Sequence, residues 1–169
     1  MELYFHASGV GTQNVDLLPE IEIQTVKTNC EGFVRLVTFA FNWFYKNKVK
    51  GHIAVISSIA GTKGLGVAPA YSATKAMQNT YIQSLSQLAR IKKADISFTD
   101  IRPGFVATDL LNSNKHYPLL MKKEKVAKAI VKALKSKKRV LVIDWKFRIV
   151  VFFWRLIPSC IWERISVKN

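Results

Sequence analysis

Apolar residues along this chain fall into two rhythms. Short runs, Leu3–His6, Ile53–Ile56, Ile96–Ile101 and Arg139–Ile143, are too brief for helices and read as strands. Between them lie stretches with helical spacing: Leu18 to about Lys48, Tyr71 to about Arg90, and Lys123–Lys137. Strand alternating with helix predicts an α/β domain with a parallel sheet flanked by helices. In the first helical stretch, Phe33–Tyr45 is apolar on nearly every side. Such a helix must be covered on both faces, so a homo-oligomer is expected, with sheet on one side and a second subunit on the other. In the second, Ala73, Met77, Tyr81, Leu85 and Leu88 form the apolar side. The chain closes on Trp145–Trp162, an apolar helix broken near Pro158, with Arg148 and Arg155 on one stripe. That segment reads either as a final packed helix or as one that docks shallowly on a membrane surface.

The most informative stretch runs from His52 to Lys75. The strand Ile53–Ile56 ends in two serines, a glycine-containing loop follows, and Pro69 stands where a proline can start a helix. Tyr71 and Lys75 are four apart on that helix, on one face and one turn from each other. A phenol beside an ammonium is an acid–base unit, because a nearby cation favours the phenolate. Ser58 precedes Tyr71 by thirteen residues and sits at the carboxyl end of the strand, where open α/β sheets bind ligands. The glycines of Gly61–Gly66 are in the wrong order for a phosphate-cradling turn, so this loop is expected to cover a substrate pocket. After Ile96–Ile101, the segment Arg102–Thr108 brings the backbone, through Pro103 and Gly104, close to whatever fills the crevice.

With 169 residues, 49% of them hydrophobic, the chain can bury the core of one domain. Cys30 and Cys160 show no metal-like spacing and no disulfide framework, which suits a reducing cytoplasm. The histidines are scattered and no metal site is expected; the first ten residues lack the pattern of a signal peptide. A formal charge of +15 raises a nucleic-acid reading, but Lys125, Lys128, Lys132 and Lys135 form one solvated helical stripe opposite Val126, Ile130, Ala133 and Leu134. Without a recognisable nucleic-acid-binding motif beside it, the charge points instead to anionic cofactors or lipid surfaces.

The strand, Ser58, Tyr71 and Lys75 together resemble the short-chain dehydrogenase/reductase family, whose catalytic serine, tyrosine and lysine show this spacing. The resemblance implies an NAD- or NADP-dependent oxidoreductase acting on an alcohol or ketone. Tyr71 would give or take the proton and Ser58 would hold the substrate oxygen. Lys75 would lower the tyrosine pKa and hold the cofactor ribose. Asn29, in Asn-Cys-Glu-Gly, would complete a tetrad through a water near the lysine. By the same resemblance Ser8, Gly9, Tyr71, Lys75, Pro103, Gly104, Phe105 and Thr108 would contact the cofactor. Here His6-Ala7-Ser8-Gly9 stands in place of the family's Asn-Asn-Ala-Gly, and Thr108 would meet the carboxamide. Asp109–Leu120 would be a substrate lid whose Leu110, Leu111 and Tyr117 suit an apolar substrate. The likeness runs from about Leu3 to Ile157, leaving residues 158–169 as a tail, and covers only the later part of the family's domain. The expected fold is therefore a partial Rossmann-like, doubly wound parallel sheet. The chain by itself is expected to lack the family's pyrophosphate-binding turn and to be inactive. The competing reading is a non-catalytic fragment that pairs with another chain or with a membrane.

Overall fold

Four strands and six helices follow from those rhythms in the computed structural model, which describes residues 2–108, 111 and 117–167. The strands are β1 (Leu3–His6), β2 (Gly51–Ile56), β3 (Ile96–Arg102) and β4 (Val140–Val142). They lie in the order β1-β2-β3-β4, and every pair is parallel. The helices are α1 (Pro19–Val26), α2 (Phe33–Lys46), α3 (Pro69–Ile91), α4 (Lys123–Lys135), α5 (Trp145–Leu156) and α6 (Ser159–Trp162). A parallel sheet is buried on both faces, and β2 shows how the chain meets that demand. Ile53 and Val55 point into a core made with Phe33, Val37, Phe41 and Phe44 of α2 and Ile82 and Leu85 of α3. Ala54, between them, points to the opposite core, built with Ile101, Val126, Ile143, Phe147 and Val151.

The long helical stretch expected from Leu18 to Lys48 is present but not uniform. Between α1 and α2, Lys27–Gly32 forms one π-helical segment. The extra residue in that turn re-aims the side chains, as π-bulges do, and Asn29, inside it, is fully buried. The α2 helix is less evenly apolar in its packing than in its sequence. Phe33, Val37, Ala40, Phe41 and Phe44 are buried, whereas Leu36 and Phe39 face outward.

The buried face of α3 also differs from the apolar stripe read in the sequence. It runs through Thr74, Lys75, Gln78, Ile82, Leu85 and Ala89, while Ala73 is exposed and Met77 and Tyr81 are half-buried. Its amino-terminal half is thus buried through polar side chains, as the site below requires. Just beyond the carboxyl end of β3, Phe147 of α5 occupies the space where a side chain on Gly104 would stand. Glycine at 104 is demanded by this packing.

The Phe44 ring fills the corresponding space over Gly51, 2.4 Å from an added Cβ, and is itself buried. Phe44→Ala is expected to lower unfolding free energy by about 3–5 kcal/mol in urea titration. A loss below about 1 kcal/mol would show that this core is not packed as described.

Candidate active site

The carboxyl ends of β2 and β3 bring the sequence-selected residues together. Ser57 and Ser58 follow β2 and diverge. Ser57 Oγ donates to Asp100 Oδ1, whereas Ser58 Oγ accepts the Ala60 backbone N–H at 3.1 Å and faces Tyr71. The Ser58 bond opens a 3₁₀ turn, Ile59–Thr62, that packs tightly on α3: an added Cβ on Gly61 would meet the Lys75 carbonyl carbon at 2.6 Å. Tyr71 lies in the first turn of α3. Pro69 can begin that helix because its missing N–H would be unpaired there anyway. The Ala70 backbone N–H donates to Glu22 Oε2 at 2.9 Å, so the negative group at this helix start is a carboxylate of α1.

Lys75 is buried, and its ammonium is held from three directions. Nζ donates to the Ile56 carbonyl at 3.2 Å and to Gln78 Oε1 at 3.1 Å, and it lies 5.8 Å from the Tyr71 ring centre. Gln78 Nε2 in turn donates to the Asn29 carbonyl at 2.8 Å. The Asn29 side chain is spent on other partners: Oδ1 accepts from Val10 N–H at 2.9 Å, and Nδ2 donates to Val10 carbonyl and Thr74 Oγ1 at 2.7 and 3.1 Å. Asn29 and Lys75 are therefore joined through the Gln78 amide. Sequence reading passed over Gln78 because an uncharged polar residue on a helix is ordinarily solvated; only its i, i+3 spacing from Lys75 signals the contact.

Asp100 was also missed. It is fully buried in β3, where Arg102 Nε and Nη2 donate to its Oδ2 at 2.9 and 2.6 Å. Its charge faces Lys75 as well. Burial pushes the Lys75 pKa down to about 8, with Asp100 and then Cys30 opposing the shift. At neutral pH the lysine remains predominantly a cation.

Tyr71 departs from the expectation that Lys75 draws its pKa down. Burial pushes the phenol up, and the opposing influence is the hydrogen bond with the Ser58 side chain. The Lys75 ammonium donates to Ile56 and Gln78 and stands 5.8 Å from the ring centre. The phenol is therefore held as a proton donor at neutral pH. Gly11 lies against its ring, where an added Cβ would stand 2.7 Å from Cε2. His6 is buried, with Nδ1 3.0 Å from Tyr4 Oη; burial and then Lys75 push its pKa down, and a backbone hydrogen bond at Ser8 opposes them.

The remaining cofactor-contact candidates divide into two groups. At Gly9 an added Cβ would stand 3.3 Å from both Lys75 Nζ and Asn29 Oδ1, so the Ser8–Gly9 backbone passes directly beside the lysine. Pro103 accepts the Ile59 N–H through its carbonyl at 3.1 Å, and Phe105 packs its ring 5.0 Å from Tyr117 and 6.3 Å from Phe147. Thr108 is exposed, its hydroxyl 3.4 Å from the Val106 carbonyl. Leu110 and most of the expected lid fall outside the described residues. The Gly61–Gly66 loop is tied to the carboxyl-terminal segment: Lys63 Nζ donates to the Ile157 carbonyl and Trp162 Nε1 to the Gly64 carbonyl, both at 2.7 Å.

These residues fit the nicotinamide–ribose end of a dinucleotide. The described bonds of Lys75 use two of the three ammonium donors, leaving one for a hydroxyl. For the pyrophosphate, the described residues present no glycine turn leading onto a free helix N-terminus, since Glu22 already occupies that of α3.

A family model described as short chain dehydrogenase matches residues 6–118. The chain is 26% identical over 166 residues to an uncharacterized oxidoreductase of Myxococcus xanthus, covering 96% of this chain and 64% of that protein. It is 29% identical over 167 residues to Dehydrogenase/reductase SDR family member 7B of Bos taurus, covering 91% and 50% of the two chains. The chain thus spans between half and two thirds of the length of these curated relatives. Among solved structures, a short chain dehydrogenase from Burkholderia cenocepacia in complex with NADP superposes with a TM-score of 0.83 at 15% identity, over 99% of this chain and 70% of that one.

The depressed Lys75 pKa predicts how stability varies with pH. The native lysine loses its proton near 8, whereas an unfolded lysine does so near about 10.4. Between those values the native state binds fewer protons, so stability rises with pH across that window. Relative to Lys75→Met, the wild type should gain roughly 1–3 kcal/mol in urea unfolding between about pH 8 and 10. A difference that stays flat would show that the lysine is not buried as a cation.

Proposed function

The chain belongs to the short-chain dehydrogenase family, and from that premise we propose that it supplies the proton-transfer end of an NAD- or NADP-dependent site acting on an alcohol or ketone. The observation that carries this reading is the pairing of Ser58 with a phenol, Tyr71, held protonated by burial one turn from the Lys75 cation. The nicotinamide supplies or accepts the hydride. Everything else falls to the chain. Tyr71 donates its proton to the carbonyl oxygen during reduction, or takes one from a hydroxyl in the reverse direction. Ser58 holds that oxygen, and its hydrogen bond is worth most when negative charge builds there. Lys75 offers its remaining donor to the ribose.

Gln78 and Asn29 act as positioning residues. Gln78 links Lys75 to the Asn29 carbonyl and so fixes where the ammonium stands, 5.8 Å from the Tyr71 ring centre. Ser8, Gly9, Pro103, Gly104, Phe105 and Thr108 are proposed to line the cofactor, Gly9 closest to the lysine. Phe105 and Tyr117 give the substrate side an apolar wall, which supports an apolar alcohol or ketone. The outward Leu36 and Phe39 of α2 support a homo-oligomer, since a second subunit would cover them.

The test joins the chain to an amino-terminal glycine-turn segment that can hold the pyrophosphate, and follows reduction of apolar ketones by NADH or NADPH through loss of nicotinamide absorbance. Tyr71→Phe removes only the ionisable oxygen and should lower turnover by about 10²–10⁴-fold with the fold unchanged. Retention of more than about a tenth of the activity would overturn the assignment of Tyr71.

A further inference from the structure

We propose that the outer face of α5 docks on an anionic lipid surface. At 100° per residue, Trp145, Ile149, Phe152, Phe153 and Leu156 fall on one stripe of this helix, and each is 47–63% exposed. Phe147 and Val151 occupy the opposite face and are buried against Ile101, Ile143 and Val126, so the helix is anchored by its inner side. Beyond Pro158, Trp162 turns inward and donates to the Gly64 carbonyl, which fixes the far end of the same segment. The apolar stripe is therefore presented to the outside by a helix that is already packed.

The flanks of the stripe identify its partner. Arg148 and Arg155 border it on one side and Lys146 on the other, all three exposed. Acidic residues do not interrupt it. Asp144 is committed to capping α5 through the Lys146 N–H and to Lys125 Nζ at 2.8 Å, and Glu163 lies beyond the helix. A second copy of this face would set arginines and a lysine against their own kind, on a chain that already carries +15. Anionic headgroups complement the same flanks, and aromatic and aliphatic side chains between them enter the acyl boundary. The helix lies in the interface and does not cross it: among the described residues no helix is long and apolar enough to span a membrane.

Flotation of the full chain with vesicles tests this. The chain should float at low salt with phosphatidylcholine–phosphatidylserine vesicles and much less with phosphatidylcholine alone. The double variant Phe152→Ser, Phe153→Ser changes only exposed side chains and should abolish flotation while leaving the circular dichroism spectrum unchanged. Arg148→Glu with Arg155→Glu should weaken binding at least about tenfold. No flotation of the wild type at low salt would overturn the proposal. So would flotation undiminished by the two serines, which would place the binding on the lysines of α4. A double-serine variant that changed only the oligomeric state in gel filtration would overturn it as well, in favour of a second copy.

Discussion

A lysine ammonium buried beneath the carboxyl ends of two parallel strands is the constraint on which the rest of this structure depends. Removing such a charge from water is costly unless it is paired and hydrogen-bonded. The fold meets that demand with the Ile56 carbonyl, the Gln78 amide and the field of Asp100. Each partner imposes its own requirement. Gln78 must be held, and the Asn29 carbonyl holds it; Asp100 must be neutralised in turn, and Arg102 does so while Ser57 donates a hydrogen bond to it. The π-helical segment between α1 and α2 makes sense in this light. It buries Asn29 deeply enough to reach both Val10 and Gln78.

The alternation of β2 and the residues after it separates two tasks. One face of the strand builds the core with α2 and α3, and the other builds the core with α4 and α5. The same alternation continues past the strand end, so that neighbouring serines serve different partners: Ser57 supports Asp100 and Ser58 meets Tyr71. The side chain that binds Asp100 and the one that faces Tyr71 are thus adjacent in sequence and separate in their partners. Burial meanwhile keeps the phenol protonated, so the acid and the cation beside it coexist at neutral pH.

Much of this was legible in the chain itself. The four strands and the helices between them follow from apolar runs and helical spacing, and Ser58, Tyr71 and Lys75, picked out by their spacing, come together in the structure. What was not legible shares one physical cause. Periodicity finds apolar residues that are buried, and it is blind to polar residues buried as partners of a charge. Gln78 and Asp100 carry no apolar signal and were passed over. Of the apolar stripe read on α3, Leu85 is buried and Met77, Tyr81 and Leu88 pack partly against the core while Ala73 is exposed. The glycines were ambiguous for a related reason: sequence shows that a position lacks a side chain, not what fills the space. At Gly104 that filler is Phe147, and at Gly11 it is the Tyr71 ring. Direct approach to the lysine is confined to Gly9 among the glycines considered for cofactor contact.

The central claim is that Lys75 is a buried cation whose pKa is lowered by burial and partly restored by Asp100. Nuclear magnetic resonance titration of the full chain with carbon-13-labelled lysine side chains tests it most directly. One lysine should titrate at about 8, disappear in Lys75→Met, and move lower still in Asp100→Asn, because that carboxylate opposes the downward shift. A Lys75 that titrates at the ordinary value of about 10.4, or that ignores Asp100→Asn, would contradict the account.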